Sequence, residues 1–110
     1  MKRMRSFAAA LVFLGMSSSG MAGEDHKLVI RGHKFEPAEL VLPAGQKAKV
    51  LIENLDASPE EFESYSLNRE KLIPGNGKAT VFLGPLKPGR YEFFGEFHKD
   101  TALGTVVVKE

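Results

Sequence analysis

Between Lys47 and Glu53 the chain alternates: Ala48, Val50 and Ile52 fall on one side, and Lys47, Lys49 and Glu53 on the other. A period of two is what a strand with one buried face requires, and no stretch of the chain carries the 3.6-residue period of a helix. The same reading applies to Leu28-Val29-Ile30, to Phe35–Leu42 and to Leu103–Val108. Lys78–Leu83 and Arg90–Phe97 read as a pair of strands around Pro85-Leu86-Lys87-Pro88-Gly89. Glu61–Leu67 fits either a strand or an irregular stretch. Turns are marked by Pro43-Ala44-Gly45 and Pro74-Gly75-Asn76-Gly77, and Asn54–Pro59 is a polar loop. Six or seven short strands punctuated by Gly and Pro predict an all-β fold, a β-sandwich with Greek-key connections. Val50, Val81, Tyr91 and Phe93 are the expected core.

The first 22 residues have the three parts of a secretory leader: Lys2, Arg3 and Arg5, an apolar run from Phe7 to Met16, and small residues ending at Gly20-Met21-Ala22. The run is shorter than the ~20 residues that cross a bilayer. Residues 1–22 are therefore expected to be a cleaved signal peptide, and residues 23–110 one exported domain, periplasmic and soluble. The chain has no cysteine, which excludes disulfides and a thioether lipid anchor, so the core must hold the domain, helped by a metal if one is bound. Removing Lys2, Arg3 and Arg5 leaves 12 basic against 14 acidic residues, a net charge of −2. No basic patch points to nucleic acid.

Two short stretches carry the candidate chemistry: Glu60-Glu61-Phe62-Glu63 and Glu96-Phe97-His98. Glu61 and Glu63 are two apart, so in an extended chain they share a face; Glu96 and His98 have the same spacing. Carboxylates and an imidazole suit hard or borderline ions such as Fe(II), Fe(III), Mn(II) or Cu(II). The plainer reading is that Glu60, Glu61 and Glu63 form a solvated edge that blunts sheet pairing, and that His98 is structural. Arg69-Glu70-Lys71 reads as a solvated charge run or a docking face. His26 falls in the frayed start of the mature chain; His33, near the second strand, reads as a surface residue or as one that approaches the same end of the sandwich, and Asp100 as an outer ligand or a loop residue. Asn54 and Asp56 shape their own loop. No Ser-His-Asp context supports hydrolysis. All four methionines (Met1, Met4, Met16, Met21) lie in the leader, so a blue-copper site, with its thiolate and usual thioether, is excluded.

Taken in order, Phe35-x-Pro37, Leu40-x-Leu42-x-x-Gly45, Val50-x-Ile52-x-Asn54, Pro59-Glu60-Glu61-Phe62, Pro88-Gly89-x-Tyr91-x-Phe93 and His98 before Gly104-x-Val106-x-Val108 resemble a cupredoxin across residues 27–108. The resemblance implies that Glu60 stands where a ligand histidine is usual, Gly95 where the thiolate cysteine is usual, and Leu103 near the axial methionine. Only His98 keeps its identity. Glu61-Phe62-Glu63-Ser64 and Leu86-Lys87-Pro88-Gly89-Arg90-Tyr91 are similar to small exported members of the EfeO-type cupredoxin-like group, which accompanies bacterial iron uptake.

That likeness implies a periplasmic iron- or copper-binding component that binds ferrous iron, or helps oxidise it, for an inner-membrane iron permease or another uptake component. Glu61, Glu63, Glu96 and His98, with Glu60 beside them, are then the expected ligands, gathered around one ion at one end of the sandwich. Oxidation would need a partner, since no stand-alone catalytic site is evident. Two other readings compete: a metal-free interaction module, and a thiolate-free copper carrier using His98, His33 and glutamates.

Overall fold

The computed structural model describes residues 25–110; the expected signal peptide, residues 1–22, lies outside the described residues. Nine strands follow one another with no helix among those residues: β1 (Asp25–Ile30), β2 (Phe35–Glu36), β3 (Glu39–Pro43), β4 (Ala48–Asn54), β5 (Glu60–Ser64), β6 (Arg69–Ile73), β7 (Lys78–Leu83), β8 (Gly89–Gly95) and β9 (Leu103–Lys109). They form two sheets, ordered β2-β1-β4-β7 and β3-β9-β8-β5-β6. The expected β-sandwich is what the chain builds.

Period-two burial explains the layering. On β4, Ala48, Val50, Ile52 and Asn54 are buried while their neighbours are not, and the same alternation puts Leu40 and Leu42 of β3 and Val106 and Val108 of β9 inside. Three aromatic rings fill the middle. Phe35 stands edge-on to Phe93, with centroids 5.0 Å apart at 83°, and Phe62 stacks against Phe93 at 5.0 Å. Offset and edge-to-face contacts of this kind add to what burial alone contributes. Opposite Phe93 in the β8–β9 register lies Gly104, where a Cβ would collide with the Phe93 ring. Of the expected core, Val50, Val81 and Phe93 are buried and Tyr91 is partly buried against them.

Three expectations of local structure are corrected. Phe35–Leu42 is two strands, because the chain leaves one sheet at Pro37-Ala38 and joins the other: β2 pairs with β1, and β3 with β9. Lys78–Leu83 and Gly89–Gly95 are strands but not partners: β7 pairs with β4, β8 with β5 and β9, and Gly84–Pro88 carries the chain between the sheets. Arg69-Glu70-Lys71, read as a solvated charge run or a docking face, is exposed but is part of an unexpected strand: the edge strand β6, whose Leu72 is also exposed and whose Ile73 is buried.

Candidate metal centre

Strand β5 sends its two chemistries to opposite faces. Glu60, Phe62 and Ser64 point into the sandwich, and Glu61 and Glu63 point out. Side chains that are neighbours in sequence cannot share a face of a strand.

The inward group pairs a buried glutamate, Glu60, with a partly buried histidine, His98. Glu60 is only 1% exposed. Its Oε1 accepts hydrogen bonds from the N–H groups of Glu61 and Phe97, both at 2.9 Å, and its Oε2 lies 2.6 Å from Nδ1 of His98. A tight turn after β8 delivers the imidazole: the His98 N–H donates to the Gly95 carbonyl, and the His98 carbonyl accepts from Thr101 and Ala102. The carboxylate rests over Gly95. A Cβ built on Gly95 would lie 2.6 Å from both Cδ and Oε2 of Glu60. The space a cysteine side chain would need at position 95 is thus filled from the neighbouring strand by a carboxylate.

A second imidazole lies on the first. The rings of His33 and His98 stack with centroids 3.5 Å apart and planes 12° from parallel. His33 sits in the β1–β2 turn at φ +60°, a left-handed conformation that histidine adopts more readily than most residues. The turn is clamped from two loops. Asp56 accepts from the N–H groups of Gly32 and His33, each at 2.8 Å, and Thr101 Oγ1 donates to the His33 carbonyl at 2.7 Å. The hydrogen bond from His33 holds the Asp56 carboxyl below its ordinary range, with help from Gly32 and the nearby imidazoles against a smaller opposing effect of burial. Asp56 is itself placed by Asn54, whose Oδ1 accepts from the Asp56 N–H.

The outward group is acidic only. Carboxylate oxygens of Glu61, Glu63 and Glu70 all lie within 4.8 Å of one another, and Glu63 and Glu70 are directly opposite in the β5–β6 register. Desolvation, then the like charges of Glu70, Glu96 and Glu60, raises the Glu61 carboxyl. Glu63 is raised by desolvation first, then by its hydrogen bond with Glu70 and by the charges of Glu70, Glu61 and Glu96. Glu96 is near enough to be felt by both, and its own carboxylate lies 3.5 Å from Lys99 Nζ.

The expected ligands therefore fall into two groups. Glu60 and His98 meet inside, while Glu61 and Glu63 lie on the outer face with Glu96 beside them. The expectation of one ion shared by Glu61, Glu63, Glu96 and His98 is corrected by the alternation of β5. It is corrected again by the turn at residues 95–98, which ends the extended chain that would have aligned Glu96 with His98. Sequence reasoning missed Glu70 as a neighbour of Glu63, legible only from the register; the copper-carrier reading did pair His33 with His98, but their stacking is legible only from the clamped turn. Asp100 lies in the exposed loop after His98, beside Thr101.

This donor set does not fit blue copper: there is no cysteine in the chain and no methionine after Met21. It fits the hard and borderline ions that take carboxylate and imidazole. The Cupredoxin-like domain family matches residues 5–108, and the chain belongs to that family. It is 39% identical over 108 residues to an uncharacterised protein of Rickettsia prowazekii (strain Madrid E), covering 94% of this chain and 86% of that one.

Among solved structures, the metal-binding domain of the Streptococcus pneumoniae D39 Cu(I)-exporting P-type ATPase CopA superposes with a TM-score of 0.69 at 18% identity, covering 78% of this chain and 85% of that one. Auracyanin A, a blue copper protein of Chloroflexus aurantiacus, superposes at 0.68 with 17% identity, over 78% of this chain and 98% of that one. A purple cupredoxin of Nitrosopumilus maritimus gives 0.62 at 20% identity, over 77% of this chain and all (100%) of that one. At these identities the likeness is one of fold.

Proposed function

We propose that this protein is a periplasmic metal-binding component of a bacterial iron uptake system, which takes iron as cargo at its carboxylate–imidazole end and serves an inner-membrane permease. The observation that supports this most is Glu60: a carboxylate 1% exposed, set 2.6 Å from His98 Nδ1, two residues that the cupredoxin resemblance puts at ligand positions. Burying a carboxyl group is costly even when it is hydrogen-bonded, and apolar side chains of similar volume are often as stable or more so. A pair kept there is explained by use as a ligand set, and its donors suit Fe(II) and Cu(II) better than Cu(I). The outer carboxylates Glu61, Glu63 and Glu96 add negative charge that draws cations to this end. Where iron is oxidised, each Fe(II) gives one electron to dioxygen or to a copper centre on a partner protein.

One feature favours the metal-free interaction module instead: Glu60 already has three donors and is complete without an ion. Titration of the chelator-stripped protein with Fe(II) under anaerobic conditions, and with Fe(III) and Cu(II), separates the readings. Iron binding that is lost in Glu60→Gln and His98→Ala supports the proposal. Copper binding without iron binding moves it to a copper carrier, and no binding by a well-folded protein leaves the interaction module.

A further inference from the structure

Both imidazoles at this end are aimed at the same short stretch of chain. Nδ1 of His98 meets Glu60, and Nε2 of His33 lies 3.5 Å from the hydroxyl of Ser58, two residues earlier. The rings are stacked with centroids 3.5 Å apart, so His33 lies directly over the imidazole that meets Glu60. We propose that Glu60, His98 and His33 form one two-imidazole, one-carboxylate site for a divalent cation, with His33 as the third ligand and Asp56 as the residue that positions it.

The proposal rests on the reading of Glu60 and His98 as a metal pair and adds the ligand that completes it. Two cis donors with bonds of about 2.1 Å are ~3.0 Å apart at a right angle and ~3.4 Å apart at the tetrahedral angle. The observed 2.6 Å between Glu60 Oε2 and His98 Nδ1 therefore has to open by roughly 0.4–0.8 Å for a cation to take the place of the hydrogen bond they share. The entering cation releases the proton of that bond, as ligation of a protonated site must. His33 then turns out of its stack toward the ion.

His33 is not a loose surface side chain. Its N–H is bonded to Asp56 and its carbonyl to Thr101, so loops from three places in the sequence fix its backbone over His98 while the ring keeps its side-chain torsions. Two imidazoles and one carboxylate with open positions are the donor set associated with non-haem Fe(II), and it is also competent for Zn(II) and Cu(II). The outer cluster of Glu61, Glu63 and Glu70 contains no imidazole, so the two places are chemically distinguishable.

The test is anaerobic Fe(II) titration of the full exported protein as wild type, His33→Asn, Asp56→Asn, His98→Ala and Glu60→Gln, with metal-free melting curves for each. Asparagine tolerates the left-handed backbone at position 33 but lacks the ring nitrogens. His33→Asn should melt like the wild type without metal yet bind Fe(II) at least ~10-fold more weakly, the size of effect that loss of a ligand or its support produces. Asp56→Asn should weaken binding by a smaller factor. In proton NMR, adding Zn(II) to the wild type should shift the ring protons of both histidines as the stack opens. Unchanged Fe(II) affinity in His33→Asn, with binding lost in His98→Ala and Glu60→Gln, overturns the third ligand and leaves the paired site standing. Affinity unchanged in all four variants places the ion elsewhere and overturns both, and an absence of Fe(II) binding by the wild type overturns the reading beneath them.

Discussion

The Glu60 carboxylate and the α-carbon of Gly95 exclude a side chain between them: a methyl group at position 95 would lie 2.6 Å from Oε2 of Glu60 and 2.7 Å from the Cβ of Ala102. Glycine at 95 and glutamate at 60 are thus one decision made at two places in the sequence. A carboxylate from β5 stands in the space that a side chain on β8 would otherwise fill.

Gly95→Ala should therefore cost about 1–3 kcal/mol, the usual penalty of forcing a methyl group into a packed interior. Combining it with Glu60→Ala should cost less than the two single changes added together, because removing the carboxylate relieves the clash with Glu60 and the new methyl group fills part of the void, while the contact with Ala102 remains. Urea unfolding of the four proteins measures the coupling, and strict additivity would show that the two sites do not compete for space. By the same logic, Gly95→Cys alone should give no coloured copper complex, while Glu60→His with Gly95→Cys should give an intense thiolate-to-copper absorption on adding Cu(II).

Asp56 gives a pH signature with a definite sign. Its folded value lies below the ordinary 3.8, chiefly because the His33 N–H binds the ionised form. A lowered carboxyl contributes stability that is complete above its ordinary value and disappears as the pH falls through the lower folded one. Asp56→Ala should cost about 1–2 kcal/mol at neutral pH, the net worth of two hydrogen bonds to the turn. The gap between wild type and variant should stay level from pH 7 to about pH 4 and close below that. Denaturant titrations at several pH values check it, and a gap that widens in acid would contradict the assignment.

The fold was legible because alternation and turn residues carry it: β4, β7 and β9 were all visible as period-two runs, and Gly/Pro pairs marked where they end. Pairing was not. Lys78–Leu83 and Arg90–Phe97 looked like a hairpin because they are adjacent in sequence, yet the chain between them changes sheets, and nothing local records that. The site was half legible. Composition excluded a thiolate, and the cupredoxin resemblance pointed to His98 with Glu60 beside the other glutamates, but which of Glu60 and Glu61 points inward depends on strand phase. A shift of one residue exchanges all of them. His33 and Glu70 are brought in by a clamped turn and by cross-strand register, contacts 65 and 7 residues along the chain from His98 and Glu63.

The outer face should behave oppositely to Asp56. Glu61 and Glu63 have folded values above the ordinary 4.5, so the folded state holds their protons more tightly than the unfolded chain does. Their ionisation lowers stability as the pH rises through those raised values, and protonation restores it. Replacing Glu70 by lysine turns the like-charged Glu63–Glu70 pair into an opposite one on the same face. Glu70→Lys should melt above the wild type at pH 7 and lose the advantage once the glutamates are protonated. Millimolar Ca(II) should raise the wild-type midpoint more than the variant's. A variant that melts lower at pH 7 would mean that repulsion across β5 and β6 adds nothing to the desolvation that is the first cause of these raised carboxyls.

Asn54 tests whether the loop that places Asp56 depends on the polarity of one buried amide. The residue is 1% exposed. Its Nδ2 faces the carbonyls of Ser58 at 2.8 Å, Pro74 at 3.3 Å and Ile73 at 3.4 Å, and its Oδ1 accepts from Asp56. Asn54→Ala strands the Ser58 carbonyl and the Asp56 N–H, and should cost about 2–4 kcal/mol, at roughly 1–2 for each orphaned group because both are only part-buried. Asn54→Asp is nearly the same size, but turns the donor into a second anionic oxygen facing three carbonyls. It should cost more than alanine at neutral pH, about 3–5 kcal/mol, as an unpaired buried charge does. Acid then separates the two variants, because a protonated carboxyl at position 54 can donate one hydrogen bond and a methyl group none. Asn54→Asp should regain stability relative to Asn54→Ala as the pH falls. Two variants that lose the same stability at every pH would show that only the volume at position 54 matters, and that Asp56 is placed by something else.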